Sequence, residues 1–388
     1  MMELRRDRLR VALVHDWLTG MRGGEAVLEA LGGLFHEPRL FTLVHVPGAV
    51  SPKIEGWLEG TSFLQNIPGV GERYRHFLPL MPKAAEGLNV SDFDLIVSST
   101  HCVAKGVKKR PGAVHVAYVH APMRYMWDRF DDYFGPGRAK PHVRLAARTL
   151  RGYLQGWDRA SSAPERLDRV VANSGFIAQQ IQSAWHREAQ VVHPFADLSR
   201  FSLPRAVGDF HLMVGAFAPN KRVDLAIDAF NRMGLKLKIV GGGQEEARLR
   251  AMAGPTIEFL GSMDNSAIAG LYASCRSFIF PGVEDFGITP LEAMASGAPV
   301  VGYAAGGLLE TAYPECGVFF REQTVEALIE AVQKLESGAV TVSPEKCRAR
   351  ALEFTRARFE ERMRAEIRHA WQDAGKKPEL LERAFSLG

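Results

Sequence analysis

Cysteine is scarce: the 388 residues hold four, Cys102, Cys275, Cys316 and Cys347. None forms a CxxC pair and none stands at a metal-ligand spacing from a histidine. A disulfide framework and a structural zinc site are therefore excluded, and buried free thiols in a reducing compartment are expected. Long apolar runs are lacking too. Behind the basic start MMELRRDRLR, the run Val11–Val14 is far short of a signal-peptide core. No segment approaches the roughly 18 apolar residues that span a bilayer. The expectation is a cytoplasmic protein, at most peripheral at the inner face of the cytoplasmic membrane. A large charge of one sign is missing as well. Against 44 acidic residues stand 48 Lys and Arg, and the resulting +4 implies no nucleic-acid partner without a clustered patch.

What is present is an ordinary globular composition, 46% hydrophobic and 24% charged, in a chain long enough for two domains. Short apolar runs alternate with longer amphipathic stretches. Strands are expected at Arg10–His15, Leu40–His45, Asp94–Ser99, His115–His120 and Arg169–Asn173. A second series is expected at His211–Phe217, Leu237–Val240, Ile257–Leu260, Phe278–Phe280 and Pro299–Val301. Runs such as LIVSS and FIF are apolar throughout, as parallel strands buried on both faces require. Strand followed by helix, repeated, gives an α/β class with doubly wound parallel sheets. The pattern breaks at Gln190–Arg200 and restarts near His211. Two Rossmann-like domains are expected, residues 1–195 and 196–365, facing each other across a cleft, with 366–388 returning to the first. Phe359, Met363, Ile367 and Ala370 stand at helical spacing within Pro344–Asp373, which is read as one long final helix.

The most informative segment is Glu284–Gly297, EDFGITPLEAMASG. Thr289 is read as the helix cap, Pro290 as its first residue, Glu292 as the far side of a capping box and Gly297 as the helix end. Glu292 taken alone could simply cap its own helix, the lesser of its two readings. Glu284 has no capping duty. It falls in the loop after a strand, beside the bare backbone of Gly287 and a helix N-terminus that favours anions.

EDFGITPLEAMASGAPVV resembles the E-x7-E signature of the family 4 retaining glycosyltransferases, which have the GT-B fold. YVHAP (118–122), VGAFAPNKRVDLAIDAF (214–230), IVGGG (239–243) and FLGSM (259–263) occur in the family's order. The stretch YVHAPMRYMWD and the pair Lys221-Arg222 are most similar to bacterial mannosyltransferases of O-antigen and exopolysaccharide assembly. The resemblance implies transfer of mannose from GDP-mannose to a saccharide or lipid-linked saccharide, with no metal and no further cofactor. The leaving phosphate then helps deprotonate the acceptor hydroxyl on the same face of the sugar.

The resemblance also implies roles. Glu284 meets the donor sugar's hydroxyls, and the amides of Phe286, Gly287 and Ile288 hold that sugar. Glu292 accepts from the ribose diol, Lys221 balances charge on the departing pyrophosphate, and Gly242 and Met263 belong to the donor site, Met263 near the base. Gly23 and Gly24 let backbone approach the phosphates, and His120 contacts the sugar or the β-phosphate. Arg124, Trp127 and Asp128 are assigned to the acceptor. One position departs from the pattern. The family usually carries arginine where this chain has Ala216, and Arg222 and Arg22 are the available replacements.

Other readings stay open. They are a UDP-sugar-dependent transferase, a catalytically weak nucleotide-sugar-binding scaffold, and a nucleotide-sugar 2-epimerase, against which the E-x7-E motif speaks. The sequence speaks against an NAD dehydrogenase, because the first strand leads to HDWLTGMRGG rather than GxGxxG and no acidic ribose reader stands where expected. Asp92-Phe93-Asp94 reads as a turn and strand start rather than a metal-holding DxD. Gly135–Trp157 carries five basic residues and no acid. Its stripe Val143, Ala147, Leu150, Leu154, Trp157 lies beside Arg144, Arg148 and Arg151, and Lys105, Lys108, Lys109 and Arg110 form a second basic cluster. Either the stripe is core beside a solvated face, or the surface rests on anionic lipid.

Overall fold

The computed structural model describes residues 8–136 and 139–386. Arg138, one of the five basic residues of the stretch above, lies outside the described residues. The chain divides into two compact units. The first is Met1–His193 with Phe359–Gly388, and the second is Pro194–Arg358. The return to the first unit thus begins at Phe359.

The first unit is built on seven parallel strands: β1 (Val11–Leu18), β2 (Arg39–His45), β3 (Leu58–Thr61), β4 (Leu95–Thr100), β5 (Val114–Val119), β6 (Arg169–Ala172) and β7 (Gln190–Val191). Their order in the sheet is β3-β2-β1-β4-β5-β6-β7. The central strands β1, β4 and β5 are buried along their whole length, which is why their sequences lack polar alternation. The second unit has six parallel strands: β8 (Phe210–Val214), β9 (Lys236–Val240), β10 (Ile257–Gly261), β11 (Phe278–Phe280), β12 (Val300–Tyr303) and β13 (Gly317–Phe320). Their order is β10-β9-β8-β11-β12-β13. Phe278 and Phe280 enter one apolar cluster and Ile279 the other, so three consecutive apolar residues serve two layers of core.

In both sheets the strand order reverses between the first strand and its neighbour, β1 with β4 and β8 with β11. The loops leaving the carboxyl ends of such a pair diverge and open a crevice, the ordinary ligand position in open α/β sheets.

The expected strands form, with ends shifted by a few residues, and three others appear. β3 carries a glutamate and a glycine and is only half-buried at the sheet edge. β7 is two residues long, and β13 follows directly on the turn Pro314–Cys316. The single long final helix is corrected. Pro344–Ala351 and Arg356–Asp373 are separate helices, and the first belongs to the second unit. Ser343 caps one, accepting from the N–H of Lys346 at 3.2 Å. Thr355 Oγ1 accepts from the N–H of Arg358 at 3.4 Å and starts the other.

The apolar stripe of Gly135–Trp157 lies on the helix Pro141–Ala160. Ala147 and Leu154 are buried in the core, with Leu150 and Trp157 packed against it, whereas Val143 stays 39% exposed. The second basic cluster is not a free cationic patch. Lys105 pairs with Asp158, Lys108 with Glu86, Lys109 with Asp168 and Arg110 with Asp94. Asp94 is thereby engaged in an ion pair. All four cysteines are buried free thiols. Among the described residues, no helix is long and apolar enough to cross a membrane.

Candidate functional site

In the second unit the loops after β8 and β11 meet at the reversal point. β8 leads through Gly215–Ala218 into the turn Pro219–Lys221, and β11 leads into Pro281–Gly287. The approach is close because residue 282 is glycine. A Cβ there would collide with the carbonyl oxygen of Asn220. The N–H of Val283 instead donates to Asn220 O at 3.2 Å, tying the loops together. On this frame the Lys221 ammonium bonds Oε1 of Glu284, and Asn220 Nδ2 donates to the same oxygen at 3.0 Å. Both charged side chains keep about a fifth of their surface exposed. The loop after β12 supports the arrangement from behind, with Gly307 N donating to Glu284 O at 2.9 Å.

The helix that follows runs Ile288–Ala295, and its cap is Gly287 at φ +93°, a conformation that side-chain-bearing residues rarely adopt. The expected capping box is corrected accordingly: Thr289 lies inside the helix and caps nothing. Glu292, released from that duty, is 12% exposed and spends both oxygens on side chains. Arg200 Nη2 donates to Oε1 at 2.6 Å and the Tyr272 hydroxyl to Oε2 at 3.2 Å. Burial holds the Glu292 carboxyl above its usual value, outweighing the attraction of Arg200. Gly297, at φ +74°, follows the helix end as its position predicts.

Phe286 is buried and packs edge-on against Phe354 at 5.6 Å, so its side chain serves the core and only its backbone faces the loop chemistry. The carbonyl of Gly242 accepts from Phe217 N at 2.8 Å, joining the loops after β9 and β8. Met263, after β10, packs partly buried against the core. Arg222, the neighbour of Lys221, is engaged by side chains of its own unit. It sits at φ +51°, and its guanidinium bonds Asp224 at 3.2 Å and Gln323 at 3.1 Å. Ala216 is exposed, and a void of about 10 Å³ beside it is also lined by Lys221 and Gly282.

In the first unit Gly23 and Gly24 open the helix Gly23–Gly33, with Glu25 accepting from the N–H of Arg22 at 3.0 Å. A Cβ on Gly24 would lie 3.9 Å from both His120 Nε2 and His15 Cε1. Gly24 and His120 are thus neighbours. His120 shares a 2.9 Å hydrogen bond with Ser99 Oγ, and its backbone carbonyl accepts from Asn173 Nδ2 at 3.0 Å. Burial pushes its ring well below the usual histidine value, so it is neutral at pH 7.

Sequence reasoning missed three residues around these groups. His15 lies in the middle of β1, fully buried, and neither ring nitrogen has a hydrogen-bond partner among the described residues. His101 stands 6.3 Å from His120 between ring centroids and is pushed down to about 4, chiefly by burial. Asp16, wholly buried, accepts from the backbone N–H groups of His101, Cys102, Val103 and Ala104 and fixes the loop after β4. In VALVHDW the histidine and aspartate look like the tail of a strand, and no local pattern distinguishes them.

The acceptor assignments divide. Trp127 and Asp128 line a cavity of about 370 Å³ together with Phe176 and Gln180, and Arg124 is not among its lining residues.

Residues 199–354 match the family model described as glycosyl transferases group 1. Over 259 residues the chain is 30% identical to a GDP-mannose-dependent alpha-(1-6)-phosphatidylinositol dimannoside mannosyltransferase of Mycobacterium tuberculosis, covering 64% of this chain and 62% of that one. It is 30% identical over 220 residues to O-antigen chain mannosyltransferase C of Escherichia coli, covering 52% and 58%. The chain spans about half the length of the curated relatives it matches. Among solved structures it superposes on the lipopolysaccharide outer core galactosyltransferase WaaB with a TM-score of 0.65 at 14% identity, over 92% of this chain and 99% of that one. Lys221, Glu284 and Glu292 all lie inside the matched segment. The chain therefore carries a glycosyl transferases group 1 domain over residues 199–354, within the GT-B fold of a solved galactosyltransferase.

Proposed function

We propose that this protein is a retaining glycosyltransferase that moves mannose from GDP-mannose to a saccharide or lipid-linked saccharide acceptor in bacterial surface polysaccharide synthesis. The observation that carries the proposal is the Lys221–Glu284 pair at the reversal point of the second sheet. A carboxylate suited to sugar hydroxyls and an ammonium suited to a diphosphate occupy one spot, held by Asn220. The names of the two mannosyltransferase relatives support mannose as the sugar, and one of them supports GDP-mannose as the donor.

In the reaction the acceptor oxygen bonds to the anomeric carbon as the bond from that carbon to the diphosphate oxygen breaks. The acceptor proton passes to the departing phosphate. Lys221 and the N-terminus of the helix Ile288–Ala295 stabilise the growing phosphate charge, and no metal is required. Stabilisation aimed at charge that develops in the transition state is worth about 10²–10³ in rate per donor. Glu292, presented with Arg200, accepts from the ribose hydroxyls. Acceptors of this kind place the protein at the inner face of the cytoplasmic membrane.

The test is a thermal-shift screen of nucleotide sugars, followed by calorimetry and a donor-hydrolysis assay with and without a chelator. GDP-mannose is expected to stabilise the protein more than UDP-glucose and to be hydrolysed slowly whether or not the chelator is present. Equal stabilisation by the two donors removes the support for mannose. Binding without turnover in any assay favours a scaffold.

A further inference from the structure

The cavity lined by Trp127 and Asp128, two of the residues assigned to the acceptor from the sequence, lies wholly within the first unit, outside the matched domain. One wall is the segment that follows β5, and the other is the helix Gly175–Trp185. Three ties hold the walls together. Asn173, two residues before the helix, donates to His120 O at 3.0 Å, and Gln180 Nε2 donates to Asp128 Oδ2 at 3.0 Å. The indole nitrogens of Trp127 and Trp185, one from each wall, both donate to Oδ2 of buried Asp158, at 2.7 and 2.6 Å. Asp158 is itself neutralised by fully buried Lys105 at 2.9 Å. Trp127 is therefore held in place from behind, and its ring is presented as part of the cavity lining.

The lining selects a chemistry. Trp127 and Phe176 offer aromatic surface. Asp128, Gln179, Gln180 and Ser183 offer hydroxyl-binding groups at the rim. Asp128 is the one formally charged residue in the lining, with Arg129 Nε 3.9 Å from its carboxylate. None of these lining residues is a cation that would hold a phosphate or a carboxylate. A neutral ring with one apolar face and several hydroxyls satisfies both kinds of surface, and about 370 Å³ is at the small end of ligand-pocket volumes.

We propose that this cavity is a saccharide subsite that takes a neutral pyranose unit of the acceptor. Its hydroxyls bond to Asp128 and Gln180, and its apolar face lies against Trp127 and Phe176. The assignment of that sugar to an acceptor rests on the transferase reading, whereas the cavity's preference for a neutral sugar does not. Asp158 and Lys105 are positioning residues that act through Trp127.

The experiment uses the full chain and methyl α-D-mannopyranoside as probe, read by saturation-transfer NMR. GDP-mannose thermal shifts are recorded on the same samples. The wild type is expected to bind the probe. Asp128→Asn removes the carboxylate, and Ser183→Trp fills the cavity from an exposed helix position. Each should weaken probe binding about tenfold or more and leave the GDP-mannose shift unchanged. Probe binding unaffected by both variants overturns the assignment. So does its absence in the wild type at concentrations on the order of tens of millimolar, or binding of choline in its place. If GDP-mannose fails to stabilise any sample while probe binding still depends on Asp128 and Ser183, the transferase reading falls and the sugar site stands.

Discussion

The ammonium of Lys221 is bonded to the carboxylate of Glu284, so the two charged groups assigned to neighbouring parts of the donor hold each other. Each is partly exposed, and a pair of that kind contributes about 0–1 kcal/mol to stability. Glu284→Gln keeps a polar group for Asn220 to bond. It should leave the melting temperature within about a degree or two yet reduce turnover by about 10²-fold or more. Lys221→Ala should reduce turnover comparably and weaken GDP binding as well, because the diphosphate loses its cation. Turnover and calorimetry on the two variants check both statements. A large loss of stability with unchanged turnover would assign the pair to the fold instead.

Glu292 gives a pH signature. Burial holds its carboxyl above the ordinary carboxylate value, and the ionised form is the stronger acceptor for ribose hydroxyls. Donor affinity should therefore fall as pH is lowered through that raised value, before an ordinary carboxylate would protonate. Glu292→Gln should lower affinity about tenfold at neutral pH and flatten the profile. The stability effect has the opposite sign. The folded state holds the Glu292 proton more tightly than the unfolded chain does. The group's contribution is thus greatest at low pH and is lost as pH rises from the ordinary carboxylate value through the raised one. Thermal melts of wild type and Glu292→Gln across the acid range test this against the binding data.

The architecture was legible because parallel strands buried on two faces leave uninterrupted apolar runs. LIVSS and FIF could be placed to the residue or nearly so, whereas β3, half-exposed and carrying a glutamate, left no such trace. Glu284 was legible as a loop residue because nothing local needed it. The capping duty read for Glu292 was wrong, because a threonine three residues earlier imitates a cap. The helix actually begins at Gly287, where a positive φ decides the matter. Arg200 could not be seen at all: its partner is 92 residues away in sequence, and only the folded chain brings them together. The four basic residues 105–110 looked like a surface patch. Their acidic partners come from segments as far apart as Glu86 and Asp168.

Ala216 offers a gain-of-function test. It is exposed on the loop after β8, beside the void that Lys221 lines, so a longer side chain meets no core. Ala216→Arg should restore a second cation for the diphosphate and raise GDP affinity about tenfold, an effect that shrinks with added salt. Arg222→Ala should change that affinity by less than about twofold, because its guanidinium is already engaged by Asp224 and Gln323. Calorimetry with GDP at low and high salt compares the two. If Arg222→Ala proves the more damaging, Arg222 is the missing phosphate ligand after all.

The buried Lys105–Asp158 pair makes an ordered prediction about stability. Lys105 is fully buried, and burial lowers its pKa below the ordinary lysine value despite Asp158. Its ammonium also donates to Ser161 Oγ at 2.6 Å and lies 4.6 Å over the ring of Trp185. Lys105→Met leaves the Asp158 carboxylate with two indole N–H donors to solvate it. Asp158→Leu strands a buried ammonium and two indole N–H groups together. Breaking a buried pair costs about 3–5 kcal/mol, and each unsatisfied N–H adds about 1–3 kcal/mol. Asp158→Leu should therefore be clearly the more destabilising, and the double variant should recover only the part due to the stranded ammonium. Melting temperatures of the three variants test the order. Among variants that still fold, those lacking Asp158 should also lose affinity for methyl α-D-mannopyranoside, because Trp127 is then no longer held against the cavity. A result with Lys105→Met as the worst of the three would mean that the indoles do not depend on the carboxylate.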